Sequence, residues 1–506
     1  MKAFTSFLQL LSICAFVLLM QGCGGGGGGG GSAPGPGITN INGAIAGIGA
    51  AGSLFTVNGN NFGNLSAQAA GFSVDFRDAA TNQAVASAQV DFASGNWANT
   101  LINGTVPNGL TPGTFYKVTV STNRGTSNSV NFLIVPSVTF NPSTITWSQT
   151  SALPQGQQGF PTVIAPVFAN FVSAPTNYIY TLGGNTSSGT LGNKTLNLTS
   201  VNLNKLDNST GALSDANWTS TTPLPGNRGF AAGVLANGFN SQVSGNGTIY
   251  VLGGLDGTGT ATSTVFFASV SSDGTIPSAG TAGTWATTTP LPQPLFAAEA
   301  MIFHGRIYVS GGNNAAGASI ANVYFTQINS DGTLGNWQTL TNIPAPLAYH
   351  QMVAVGRFLY LLGGESVAVD PVTNSLNTPL DTIFFSQINL QDGTLSAWSI
   401  NPSGMGSARD KFTAVVAGNA LIATGGLYAG TPGSSESRIG TFNADGPLST
   451  FNAVTGTNTI SNTGHYDPYN HSTAFFVDIF GNPHILILGG ADVTTGTLHT
   501  EVWYQH

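Results

Sequence analysis

Cysteine is nearly absent from this chain: there are two, Cys14 and Cys23, both close to the amino terminus. Everything after them therefore lacks disulfides, thiolate metal ligands and thiol nucleophiles. Charge is scarce as well, at 6% of residues, with 12 basic and 20 acidic side chains and a formal net charge of −8. So few cations cannot form the basic stripe that neutralises phosphates, which excludes nucleic acid as a partner. Long apolar runs are missing beyond residue 20. The low charge does not signal disorder, because 41% of residues are hydrophobic and fall in short alternating runs that can build sizeable cores.

What is present starts with MKAFTSFLQLLSICAFVLLMQGC, residues 1 to 23. One early lysine, an apolar run to Met20 and a small Gly22 before Cys23 make an export signal, and Ser6, Gln9 and Ser12 interrupt it too often for a membrane span. The MQGC ending resembles the lipobox of bacterial lipoproteins. That resemblance implies removal of residues 1–22, acylation of Cys23, and anchoring of the exported chain to the outer membrane or cell surface. Gly24 after the cysteine resembles the outer-membrane sorting pattern of such proteins. Residues 23–37, rich in glycine, read as a flexible spacer.

From 38 to 135 the apolar residues alternate in runs such as SLFTVNGNNFG, TFYKVTVST and SVNFLIV, separated by Asn-Gly and Pro-Gly turns. These are strands at sandwich spacing. FTVNGNNFG, the run from Val106 to Thr122 and the closing GTSNSVNFLIV together resemble an IPT/TIG domain, which implies an immunoglobulin-like β-sandwich serving as spacer or interaction module.

Residues 136–506 are organised by double glycines: IYTLGG ending at Gly184, IYVLGG at Gly254, IYVSGG at Gly312, LYLLGG at Gly364, LIATGG at Gly426 and ILILGG at Gly490. Their period is roughly 60 residues, against about 50 for a standard kelch unit. Other slots recur in phase. A third strand (STVFFASV, ANVYFTQI, DTIFFSQI) leads to an Asp-Gly turn, and then to an aromatic at Trp218, Trp285, Trp337, Trp398 or Phe451. QINSDGTLGNW, ending at Trp337, returns as QINLQDGTLSAW, ending at Trp398, so it is the outer hairpin of two neighbouring units. The pattern resembles kelch repeats and implies an all-β fold in which the sandwich is followed by a six-bladed kelch-type β-propeller. After Gly490 only a third strand remains, TLHTEVWYQH, while an unpaired STITWSQTSALP around Trp147 precedes the first unit. The early segment can supply the missing outer strand and close the ring without open sheet edges.

In propellers the loops arriving at the inner strands gather near the central channel, which makes that face the default ligand site. The candidate ligand-binding residues are Arg228, Glu299, His350, Glu365, Arg409, Asp410, Tyr466 and His471. Each also has a bland reading: arginines before inner strands often tie kelch blades together, Glu299 can be a hydrated channel residue, and histidines cap loops. The cluster HYDPYNH, residues 465 to 471, fits no zinc spacing, so no metal is expected. No phosphate loop, nucleophile elbow or dinucleotide fingerprint appears, and no cofactor is expected. The absence of cysteine after position 23 excludes the radical chemistry of galactose oxidase, a kelch propeller with a copper site. The expectation is a lipid-anchored binding or adhesion module for a glycan or surface protein. The alternative is a carbohydrate-modifying enzyme resembling the six-bladed kelch mutarotase that interconverts sialic acid anomers.

Overall fold

The computed structural model describes residues 34–505 except 93–95, 138–146, 168–174, 189–192, 366–378, 418–419, 429–436, 443–447, 450, 454–467, 478–481 and 493–494. Among the described residues there is no α-helix. In these residues β-branched and aromatic runs, cut by glycine at the turns, favour strand over helix.

The amino-terminal part builds two sheets. One runs Gly37–Ile41, Leu54–Asn60, Leu101–Thr105, Trp97–Ala98. The other runs Gly47–Gly49, Val130–Ile134, Phe115–Thr122, Ser73–Asp78, Ala84–Ser87. Alternate residues from both meet in one core, where Phe55, Phe76 and Phe132 pack edge to face with centroids 5.1 to 5.7 Å apart.

The rest forms six four-stranded antiparallel sheets. Their inner strands are Thr162–Val167, Ala232–Ala236, Glu299–Phe303, Gln351–Val355, Thr413–Ala417 and Ser472–Val477. Each inner strand touches the next, and the sixth touches the first, so the sheets are the blades of a closed β-propeller. In the sixth blade the outermost strand is Trp147–Thr150, paired antiparallel with Val502–Gln505.

The repeated sequence slots tie blade to blade. Each double glycine ends a second strand with both residues at positive φ. A Cβ on the second glycine would lie 2.6 to 3.0 Å from the Cβ of Phe160, Ala231, Ala298, His350, Phe412 or His471, the residue leading into the inner strand of its own blade. A Cβ on the first would run into the carbonyl of Arg228, Leu295, Leu347 or Arg409 in the following blade's incoming loop. The pair is thus required twice over, by conformation and by crowding. The tryptophans are inter-blade ties. Trp218, Trp285, Trp337 and Trp398 donate their indole N–H to the carbonyls of Ser151, Thr222, Thr289 and Thr341, on the preceding blade's exit segment. Second-strand tyrosines reach the other way: Tyr180, Tyr250 and Tyr308 donate to the carbonyls of Gly274, Gly332 and Gly393 in the next blade's Asp-Gly turn. The aspartates of those turns cap the threonine two residues on, as in Thr333 N to Asp331 at 2.9 Å.

The two-sheet domain sits against the hairpins joining first and second strands of blades two and three. Ala46 N donates to Gly238 O at 2.9 Å, Ile45 N to Ser241 O at 3.1 Å, and Gln242 Nε2 to Gly43 O at 2.8 Å. Phe115 stacks on Phe239 with centroids 6.3 Å apart. This is the face of the propeller opposite the incoming loops.

Candidate functional site

Just before each inner strand stands a residue in the left-handed conformation: Gly159, Phe230, Ala297, Tyr349, Lys411 and Asn470, with φ between 49° and 57°. Five of the six carry a side chain, each at a cost of about 1–2 kcal/mol relative to ordinary backbone. The conformation turns each amide toward the neighbouring blade. Phe230 N donates to Gly159 O at 2.7 Å, Ala297 N to Phe230 O at 2.9 Å, and Tyr349 N to Ala297 O at 3.1 Å. Lys411 N then donates to Tyr349 O at 3.1 Å, Asn470 N to Lys411 O at 2.9 Å, and Gly159 N to Asn470 O at 2.8 Å. Six backbone hydrogen bonds close a ring around the propeller axis.

Directly within and below this ring lies an axial cavity of about 190 Å³. Its wall is asymmetric. Blades one and two offer mostly small or apolar residues, Pro161, Ala231, Ala232 and Gly233, with Thr162 the polar one among them, while blades three to six offer Glu299, Gln351, Thr413, His471 and Thr473 beside Ala298, Phe412 and Ala414. Gln351 Nε2 donates to Glu299 Oε1 at 3.0 Å, and Gln351 Oε1 accepts from Ala414 N at 3.0 Å, which fixes the orientation of the amide. Glu299 Oε2 has no partner among the described residues and faces the open space. Burial pushes the Glu299 carboxyl up from its ordinary 4.5 to about 8, against a smaller downward pull from the Gln351 hydrogen bond. At neutral pH it is a neutral acid, and its proton belongs on Oε2, because Oε1 already accepts.

His350 and His471 line the same cavity. His350 Nε2 lies 2.8 Å from Ser310 Oγ, and His471 Nε2 lies 2.8 Å from Thr413 Oγ1, which also contacts Thr473 Oγ1. In both rings Nδ1 is enclosed without a hydrogen-bond partner. An orphaned lone pair costs less than an orphaned N–H, so both are neutral Nε2–H tautomers that donate to the hydroxyls. Burial holds both imidazoles down at about 3.

The other candidate residues lie away from the cavity. Arg228 is 5% exposed; its guanidinium lies 4.3 Å from the Phe266 ring, and Nη1 donates to Asn227 O at 2.6 Å. Burial draws its pKa down, with Asp256 pulling the other way. Arg409 is fully buried, with Nη2 donating to Ser407 Oγ at 2.8 Å. Both occupy the slot whose carbonyl accepts the N–H of the previous blade's second glycine, from Gly184 at 2.8 Å and Gly364 at 2.9 Å. They hold blades together. Glu365 and Asp410 are likewise buried, each accepting from Lys411 Nζ at 3.0 Å. Lys411 Nζ also lies 4.3 Å from the centre of the Tyr349 ring. Burial alone would lower the Lys411 pKa, but Asp410, Glu365 and Tyr349 outweigh it and hold the ammonium charged. Burial raises Asp410 despite its neighbouring ammonium. The expected charged face is therefore turned inward, as an ion triad and two arginine ties. Tyr466, with His465 and Asp467, lies outside the described residues.

The structure thus brings Glu299, His350 and His471 together around one cavity and places Arg228, Glu365, Arg409 and Asp410 in the walls behind it. Sequence reasoning passed over Gln351, Thr413 and Thr473. Their signal was positional: Gln351 and Thr413 open their inner strands in register with Glu299, and Thr473 stands one residue past that position in the sixth blade.

No family model matches the chain. A stretch of 97 residues is 36% identical to Kelch-like protein 34 of Homo sapiens, covering 19% of this chain and 14% of that protein. The chain thus matches only a small part of that relative's length. Among solved structures, one described as the structure of YjhT aligns with 70% of this chain and 96% of its own, at 15% identity and a TM-score of 0.44. The sequence likeness supports a kelch-type propeller.

Proposed function

We propose that this chain is an exported, lipid-anchored binding protein whose propeller holds a neutral sugar, free or at the end of a glycan, in the axial cavity. The observation that carries the reading is the one-sided polar wall. A neutral Glu299 acid oriented by Gln351, with the hydroxyls of Thr413 and Thr473, faces a mostly apolar wall in which Thr162 is the polar residue. Hydroxyl groups both donate and accept, as this mixed wall requires. Among the described residues no cation is free to meet an anion there: Lys411 is taken up by two carboxylates, and both candidate arginines are packed between blades. In this reading Cys23 carries the acyl anchor, residues 24–37 are the tether, and the two-sheet domain is an immunoglobulin-like spacer of the IPT/TIG kind.

The test is a thermal-shift screen of the full chain against neutral and acidic sugars, beside a Gln351→Leu variant that keeps the fold and loses the amide. Neutral sugars that raise the melting temperature of the parent and not of the variant support the reading. Equal shifts in both proteins, or a response confined to acidic sugars, would sink it. The anchor is tested separately by metabolic labelling with a fatty-acid analogue, which Cys23→Ser should abolish.

A second reading, a sugar-anomerising enzyme, is favoured by one feature: Glu299 presents a proton beside space for a ring oxygen. The inward packing of the arginines counts against an acidic substrate for it. Added protein that leaves the rate of anomer exchange of neutral and acidic sugars unchanged would remove this reading.

A further inference from the structure

The axial cavity has two ends, and they differ. At the incoming-loop end, the ring residues close over the axis with their own side chains. Phe230, Tyr349, Lys411 and Asn470 are each less than a tenth exposed. Phe230 meets Tyr349 edge to face at 6.1 Å, Lys411 sits on Tyr349 and is held by Glu365 and Asp410, and Asn470 Nδ2 donates to Gln158 Oε1 at 2.9 Å. Opening this end would separate a buried ion triad, a change that leaves uncompensated charge in a low-dielectric place.

At the opposite end a second cavity, of about 360 Å³, shares Thr162, Gly233 and Thr473 with the first. It continues past Ile164, Leu235, Ile302 and Phe475 and reaches Asn237 and Asn240, with no charged side chain among the described residues that line it. Those two asparagines belong to the 237–242 loop that receives the sandwich, through Gly238, Phe239, Ser241 and Gln242. The two cavities together fall within the range of about 300–1,000 Å³ usual for small-molecule sites.

We infer that the axial well is loaded from the hairpin face, past Asn237 and Asn240, and that the docked sandwich holds one lip of this mouth. This rests on the reading of the well as a binding site and adds its route. The route restricts the ligand to an uncharged molecule narrow enough to pass between inner strands, a single sugar unit or an unbranched end entering head first. It also gives the sandwich a role beyond that of spacer, since the loop it grips is the loop that shapes the mouth.

The test uses the absence of cysteine from the folded body. In the full chain, with Cys14→Ser and Cys23→Ser, Thr473→Cys places one thiol at the junction of the two cavities, and its reaction with N-ethylmaleimide reports access without any ligand. Ile302→Trp narrows the hairpin end, and Tyr349→Ala loosens the incoming-loop end. The expected result is that Ile302→Trp slows labelling roughly tenfold or more while Tyr349→Ala leaves it within about twofold, since thiol modification follows access. Leu235→Trp, at a separate point of the same passage, should repeat the slowing, and each variant must melt cooperatively. Faster labelling in Tyr349→Ala with no effect of either tryptophan would overturn the route. So would a thiol that reacts only in denaturant. Slowed labelling by the tryptophans alongside a failed sugar screen would leave the route standing and reject the ligand chemistry.

Discussion

Replacing Glu299 by glutamine should stabilise the protein, and by an amount that depends on pH in a defined direction. In the folded chain the Glu299 carboxyl is raised from 4.5 to about 8. Below the lower value it is protonated whether the chain is folded or not, so glutamate and glutamine should be nearly equivalent there. Above it, the unfolded chain gains the free energy of ionisation and the folded chain does not, so stability is lost as pH rises from 4.5 toward 8. The slope is about 1.36 kcal/mol per pH unit, which gives a ceiling of roughly 3 kcal/mol at pH 7. Glu299 lines a polar cavity of about 190 Å³, roomy enough for water, and screening there would reduce the realised effect to about 1–2 kcal/mol. Glutamine keeps the carbonyl that accepts from Gln351, so no lost hydrogen bond offsets that gain. Thermal melts of both proteins from pH 4 to 8.5 would show curves that coincide at the acid end and separate by a few degrees at pH 8, with Glu299→Gln the higher. Parallel curves, or a less stable variant at pH 8, would refute the placement of a neutral acid in the well.

Other perturbations have equally definite outcomes. Gly312→Ala must place a Cβ 2.7 Å from that of Ala298 at φ +91°, whereas Gly109→Ala, at φ +84°, meets nothing within 4 Å; denaturant titration should show a loss of about 1 kcal/mol for Gly109→Ala and 3 or more for Gly312→Ala. Lys411→Met strands Glu365 and Asp410 in the interior and should cost about 3–5 kcal/mol, most of it recovered when Glu365→Gln and Asp410→Asn are added, as equilibrium unfolding would show. His350 and His471 are held at about 3, below their ordinary 6.5. Protons taken up by the unfolded chain should therefore destabilise the fold as pH falls through 6.5, by about 2 kcal/mol for each histidine at pH 5, and His350→Gln should flatten that acid limb in pH-dependent melts.

The blade count and the strand that closes the ring were legible because double glycines answer a steric demand made once per blade. No other residue fits against both an inner-strand Cβ and a neighbouring carbonyl, so the marker could not drift. The tyrosine of IYTLGG, IYVLGG and IYVSGG was equally periodic, and its partner, the glycine of the next Asp-Gly turn, could have been inferred from the shared period. The site was harder to read. A charged residue in a loop says nothing about which way it points, and the cations of the incoming loops, Arg228, Arg409 and Lys411, went to ties between blades. The ring of six amides was invisible for a different reason: Phe230, Ala297, Tyr349, Lys411 and Asn470 adopt a conformation usually signalled by glycine, and only Gly159 announces it.

The pairing of Trp147–Thr150 with Val502–Gln505 also sets an order of events. A chain threaded amino end first delivers the outermost strand of the sixth blade before any of the strands it must join. That segment has to wait while five blades assemble, and the contact that ends the process spans nearly the whole propeller. The entropic cost of so long a closure grows only slowly with its length, but the speed of folding suffers more from such distant pairings. Arrival of the last strand, Val502–Gln505, rather than the formation of any single blade, is then the step that closes the ring. Until then the exposed edge of the sixth blade is the place where a waiting chain is most open to pairing with another copy of itself.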